Sequence, residues 1–208
     1  PADPLRATGL AHPLLPPARA IPNDVALGDP VRLAMVSGSN MSGKSTLLKA
    51  VGTNLVLAFA GGAVRAGSMT VGRWTLGASL VLRESLLEGR SRFYAEVLRL
   101  KDIVTAAGSG QPVFFLLDEL LSGTNSHDRA IGARGILDGL IARGAIGIVT
   151  THDLALTEIA AIFSESVKNV HLQDKVENGQ MSFDYKLRDG VIAHSNALEL
   201  MRMIGLDV

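Results

Sequence analysis

The chain has 208 residues, 20 basic and 20 acidic side chains that cancel to a formal net charge of zero, 47% hydrophobic residues and no cysteine. That length suits one well-buried α/β domain and is too short for two large ones. The balanced charge lacks the basic excess of a nucleic-acid reader, and the absence of cysteine excludes disulfides and thiolate metal sites and points to a reducing, cytoplasmic setting. The longest strongly apolar stretch, Leu55 to Val64, is interrupted by Gly61-Gly62 and is too short to span a bilayer. No secretory signal is visible, so no membrane association is expected.

Residues 1–30 are rich in Pro and Ala and read as a lead-in of irregular chain and edge strands. Residues 31–208 read as one domain. Val31 to Val36 is a short apolar strand, and Leu47 to Phe59 is a long apolar helical segment. Between them Gly38-Ser-Asn-Met-Ser-Gly-Lys-Ser-Thr46 matches the G-x-x-x-x-G-K-S/T phosphate loop without a gap. Strand, loop and helix follow in the order that this chemistry needs. Gly38 and Gly43 permit the tight turn, and the backbone of Ser39, Asn40, Met41, Ser42 and Thr46 completes the cradle. A helix starting near Lys44 adds its positive dipole end. The Lys44 ammonium should reach the β- and γ-phosphates of a nucleoside triphosphate, and the Ser45 hydroxyl should ligate Mg²⁺.

Trp74 to Leu82 is a candidate strand, and Arg92 to Ala107 has helical periodicity through Phe93, Val97, Leu100 and Val104. Ser91 is placed to cap that helix. The basic residues Arg83, Arg90, Arg92, Arg99 and Lys101 fit a solvated helix face plus a loop as well as they fit a binding surface. Val113-Phe-Phe-Leu-Leu117 is a strand buried on both faces. It ends in Asp118-Glu119, where Asp118 is expected to hold Mg²⁺ and Glu119 to orient or deprotonate the attacking water.

The polar stretch Leu120 to Arg129 is too long for a tight turn, with Asn125, Ser126 or Asp128 available to cap the helix read over Asp128 to Ala142. Ala145 to Thr151 is a second buried strand. It delivers His152 to the same sheet edge, either as an ordinary polar loop residue or, as we favour, as a γ-phosphate sensor. Leu154 to Phe163 reads as a helix. Val167 to Leu172 and Met181 to Leu187 flank Asn178-Gly179 as a hairpin, and Ala197 to Ile204 reads as a closing amphipathic helix. The expected fold is α/β, a P-loop NTPase with a mostly parallel sheet flanked by helices, followed by an antiparallel hairpin or meander.

Several separated segments together resemble the C-terminal ATPase domain of the MutS family of DNA mismatch-repair and recombination proteins. They are Ala11-His-Pro13, Pro22-Asn-Asp24, the phosphate loop with its internal Asn40-Met41, Gly89-Arg-Ser-Arg-Phe-Tyr-Ala-Glu96, Leu116-Leu-Asp-Glu119, Ser122-Gly-Thr-Asn-Ser126 and Thr151-His-Asp153. The resemblance covers nearly all of residues 10–206. It implies an ABC-like ATPase using ATP and Mg²⁺, working as a dimer with itself or a related subunit through composite sites. By this analogy Asn40 and His152 flank the γ-phosphate in cis, Ser91 reaches the partner's nucleotide, and the Gly123 to Asp128 loop lies along the dimer interface. Adenine would sit near Ile21 to Val25, although no aromatic residue marks that stretch.

The departures are specific. Family members that repair mismatches carry Ser-Thr-Phe-Met before the glutamate, where this chain has Ser91-Arg-Phe-Tyr94, and Arg-Gly-Thr after the paired acids, where it has Ser122-Gly-Thr124. Arg129 replaces a common glycine. The reading is therefore a diverged paralogue, a fragment of a larger protein whose DNA contacts lie in regions absent from this chain.

An ABC-transporter subunit would place its Leu-Ser-Gly signature before the paired acids, whereas Leu121-Ser-Gly123 follows them. A GTPase would carry Asn/Thr-Lys-x-Asp, and none of the six lysines lies in one. A pseudo-ATPase that binds nucleotide only to organise a complex is opposed by the presence of Lys44, Ser45, Asp118, Glu119 and His152.

Overall fold

The computed structural model describes residues 3–80, 92–163, 165–177 and 180–192, with Arg202 and Gly205. Ser91, the Asn178-Gly179 turn and, apart from Arg202, the helix expected over Ala197 to Ile204 lie outside the described residues.

Two sheets and the helices between them follow from the hydrophobic pattern. The larger sheet has six strands in the order β5-β6-β7-β3-β8-β9. These are β3 (Leu33–Ser37), β5 (Thr75–Ser79), β6 (Val113–Leu117), β7 (Ile146–Thr151), β8 (Val167–Glu177) and β9 (Gln180–Asp189). All neighbours pair in parallel except β8 and β9, which form an antiparallel hairpin. Every residue of β3, β6 and β7 is buried, as continuous apolar runs require when both faces of a strand are covered.

Alternate residues of those strands feed two cores. Ala34, Val36, Phe114, Leu116, Ile146 and Ile148 pack with Leu48, Val51 and Leu55 of α1 (Lys44–Phe59). Leu33, Met35, Phe115, Leu117 and Val149 pack with α2 (Arg92–Gly108) and α3 (Ser126–Ala142), through Leu100, Ile103, Leu137 and Leu140.

The smaller sheet is antiparallel, in the order β2-β1-β4, from β1 (Leu5–Leu10), β2 (Asn23–Leu27) and β4 (Ser68–Thr70). It is more than a lead-in, because Leu5, Leu10, Val25 and Leu27 join the α1 side of the core. Asn54, fully buried on α1, ties it down. Its amide donates to Ala11 O (2.9 Å) and Ala50 O (2.8 Å), and its Oδ1 accepts from Arg65 N (2.7 Å). A buried amide with these partners satisfies backbone groups that no ladder reaches.

The helix expected over Leu154 to Phe163 is broken into α4 (Leu154–Thr157) and α5 (Ile159–Ile162). The cause is at Thr157. Its hydroxyl bonds back to Leu154 O at 2.6 Å, and its carbonyl accepts from Asn169 Nδ2 on β8 at 3.0 Å. A side chain and a neighbouring strand thus take groups that a continuous helix would use itself.

Candidate functional site

The carboxyl ends of β3, β6 and β7, neighbours in the sheet, converge on one edge. This is where open α/β sheets bind ligands. The loop from Gly38 to Gly43 leaves β3 there and enters α1. Its two glycines are demanded by space as well as by torsion. A Cβ at Gly38 would lie 2.6 Å from Ser42 Oγ and 2.8 Å from Leu172 O, and one at Gly43, where φ is 100°, would lie 2.9 Å from the Tyr185 ring. Met41 also sits in the left-handed region at φ 75° and projects into solvent.

Lys44, only 5% exposed, turns back over this loop. Its Nζ donates to Gly38 O and Ser39 O, both at 2.8 Å, and stands 3.4 Å from Glu119 Oε1. The other Glu119 oxygen pairs with His152 Nδ1. Asp118 accepts a hydrogen bond from Thr150 Oγ1 at 2.6 Å, and the same hydroxyl accepts from Glu119 N at 2.9 Å. Thr150 therefore fixes both acids at the end of β6. Glu119 is held with φ at 54°, unusual for a residue with a side chain. Such outliers persist where the surroundings over-determine them.

The loop can cradle an anion. The first turn of α1 has no side-chain cap, so its amides point out unspent. The hydroxyls of Ser39 and Ser42 are buried without a partner. Both observations fit a bound phosphate. Among the described residues no group of three or more His, Cys, Asp or Glu could hold a metal alone. Magnesium at a phosphate site needs only one or two carboxylates together with phosphate oxygens and water, so Asp118 and Ser45 remain a suitable pair.

Beside the loop lies a cavity of about 680 Å³. Leu10, Ala11 and Ile21 of the amino-terminal segment line one part of it, and Met41 of the loop with Phe183 and Tyr185 of β9 are among the other lining residues. The Phe183 and Tyr185 rings stack at 5.9 Å. Ile21 and Asn23 line this cavity. The aromatic wall comes from β9, some 160 residues further on. Asn23 joins the two walls: its amide donates to Tyr185 O (2.9 Å), its Oδ1 accepts from Leu187 N (2.7 Å), and Lys186 Nζ reaches Pro22 O (2.9 Å). At the rim Arg188 pairs with Asp184, which raises the guanidinium pKa further above its ordinary value.

The structure thus brings together Lys44, Glu119 and His152, with Asp118 alongside through Thr150. Asn40 is exposed in the loop. Ser91 lies outside the described residues. Asn125 does cap α3, accepting from Asp128 N at 2.9 Å. Sequence reasoning did not single out Thr150, Tyr185 or the bridging of Asn23. The doublet Thr150-Thr151 before His152 is the one local signal that could have pointed to the first.

Residues 34–207 match the family described as MutS domain V. The chain belongs to that family. Curated relatives of this MutS domain V chain include the endonuclease MutS2 of Thermus thermophilus, 34% identical over 197 residues that make up 94% of this chain and 25% of the relative. That of Thermomicrobium roseum is 33% identical over 205 residues, 97% of this chain and 25% of the relative. That of Shouchella clausii is 31% identical over 205 residues, 94% and 24%. The MutS domain V chain spans about a quarter of the length of these relatives. No helix among its described residues is long and apolar enough to cross a membrane.

Proposed function

We propose that this chain is the Mg²⁺-dependent ATP-hydrolysing domain of a diverged MutS-like, DNA-associated cytoplasmic protein. The observation that carries the reading is the cluster of Lys44, Glu119 and His152 at the ends of three adjacent parallel strands, beside a cavity with an aromatic wall. ATP bound with Mg²⁺ supplies a γ-phosphoryl group for transfer to water. The glycine loop and Lys44 would hold the phosphates, Ser45 and Asp118 would hold the metal, Glu119 would orient or deprotonate the water, and Asn40 and His152 would face the γ-phosphate. Positioning and charge stabilisation of this kind supply most of the acceleration in phosphoryl transfer.

Two copies, or one copy and a related subunit, close on each other over ATP, with Ser91 reaching the partner's nucleotide and Gly123 to Asp128 at the seam. DNA binds through the remainder of the protein. The word endonuclease in the relatives' names belongs to proteins about four times as long as the matched segment and is not carried over.

Replacing His152 with Ala should lower turnover at saturating ATP by about 10²-fold, the scale of one proton-handling or charge-stabilising group, with ATP affinity changed far less. Stopped-flow binding with a fluorescent ATP analogue, beside phosphate release, separates the two. Unchanged turnover would remove His152 from the chemistry.

The cavity is assigned to the nucleoside, stacked on Tyr185. Asn23→Ala cuts the ties to Tyr185 and Leu187 without touching the phosphates. ATP affinity should fall by roughly tenfold, as loss of about 1.4 kcal/mol implies, while kcat at saturation holds. Affinity for inorganic triphosphate should stay as in the wild type. A parallel loss for both ligands would place the defect in the phosphate loop instead.

A further inference from the structure

The segment after Glu119 is held by charge from two helices. Leu121, like Glu119, has φ at 54°, a costly conformation for a residue with a side chain. Its N–H donates to Glu96 Oε1 on α2 at 2.7 Å, and Glu96 is only 5% exposed. Its carbonyl accepts from Arg129 Nε on α3 at 3.2 Å. The same guanidinium donates from one terminal nitrogen to Thr124 O at 3.0 Å and from the other to Asp153 Oδ2 at 3.1 Å. Arg129 and Asp153 are 13% and 20% exposed, so the pair is largely withdrawn from water.

Arg129 stands in the first turn of α3, the end where the helix dipole disfavours a cation. Its placement therefore serves contacts outside the helix. Those contacts close a ring. Glu119 pairs with His152, His152 is followed by Asp153, Asp153 binds Arg129, and Arg129 binds Leu121, two residues beyond Glu119. A planar fork with several fixed donors reaches all three acceptors from three separate nitrogens; an ammonium, with its donors on a single atom, does not reproduce that spread.

We infer that Arg129 is a positioning residue for the Glu119–His152 pair and the link that ties it to the loop from Ser122 to Asn125. Displacement of that loop moves the Thr124 carbonyl, and the guanidinium carries the movement to Asp153 and so to His152. The inference rests on the ATPase reading for its effect on rate, and on geometry alone for the brace.

The test uses the intact protein with Arg129→Ala and Arg129→Lys. Misplacement of a catalytic group by about 1 Å can cost roughly 10²-fold, so Arg129→Ala should lower kcat by about 10- to 100-fold while ATP affinity stays close to that of the wild type. Arg129→Lys, which keeps the Asp153 pair and loses the carbonyls, should fall between. Hydrogen exchange should quicken together in residues 119–125 and 151–155, with β3 and β6 unchanged. Unchanged kcat in an active enzyme overturns the inference, and so does a loss of kcat matched by equal losses of affinity and melting temperature. If the wild type hydrolyses no ATP, the ATPase reading falls, and exchange still decides the brace: quickening in both segments keeps it, and quickening in one alone overturns it.

Discussion

Glu119→Gln will bind ATP and fail to turn it over. The substitution keeps the side chain's shape and removes its charge and its basicity. Loss of a positioned general base costs about 10²- to 10⁴-fold in rate, and turnover should fall within that range. Binding should move the other way. One Glu119 oxygen stands 3.4 Å from Lys44 Nζ and the other pairs with His152, so the carboxylate would compete with phosphate for both partners and repel it. Glutamine ends that repulsion, and ATP affinity should tighten several-fold. Sedimentation of the variant with ATP and Mg²⁺ should then show a dimer that persists, where the wild type passes through it. Turnover within about twofold of the wild type, far below the 10²-fold floor, would strip Glu119 of its role. Equal and negligible turnover in both forms would instead favour a domain that binds nucleotide only to organise a complex.

Lys44→Ala should have the largest effect on binding. A charge-assisted hydrogen bond contributes about 1.5–3 kcal/mol, so its loss should weaken ATP binding by roughly 10- to 100-fold. The structure adds a second penalty. Lys44 is the cation beside Glu119 and the donor to Gly38 O and Ser39 O, so alanine leaves a partly buried carboxylate facing the phosphate loop. Combining Lys44→Ala with Glu119→Gln should therefore recover part of the affinity lost in Lys44→Ala alone. A double-mutant cycle measured by isothermal titration checks this, because residues in contact do not add. Strict additivity would mean that the two side chains act independently on the nucleotide.

The glycine loop from Gly38 to Gly43, the paired acids and the strands carrying them could be read from the chain because each is a local pattern. Leu33–Ser37, Val113–Leu117 and Ile146–Thr151 are apolar runs whose ends deliver the polar residues, and they fold as strands. What could not be read was set by pairing over distance. Leu5–Leu10 looks like an edge strand until Ser68–Thr70 pairs with it, and only then does its alternation become a buried face. The break at Thr157 depends on Asn169 of the neighbouring strand. Tyr185 carries no local mark of the role proposed for it; its ring reaches Gly43 only because β8 and β9 fold back over that glycine. Arg129 was visible only as an unusual residue, and its three acceptors come from two loops that converge in space.

The joining of Asn23 to Tyr185 and Leu187 has a bearing on how the molecule is made. The partners are separated by 162 and 164 positions, so the ribosome delivers the first wall of the cavity long before the second. Synthesis runs from the amino terminus while a domain folds as a unit, so a nascent chain that has reached α3 already carries Lys44, Asp118 and Glu119. It does not yet own Tyr185. On the proposed function, tight capture of ATP requires β9, and a product truncated before it would carry the paired acids with only one wall of the cavity.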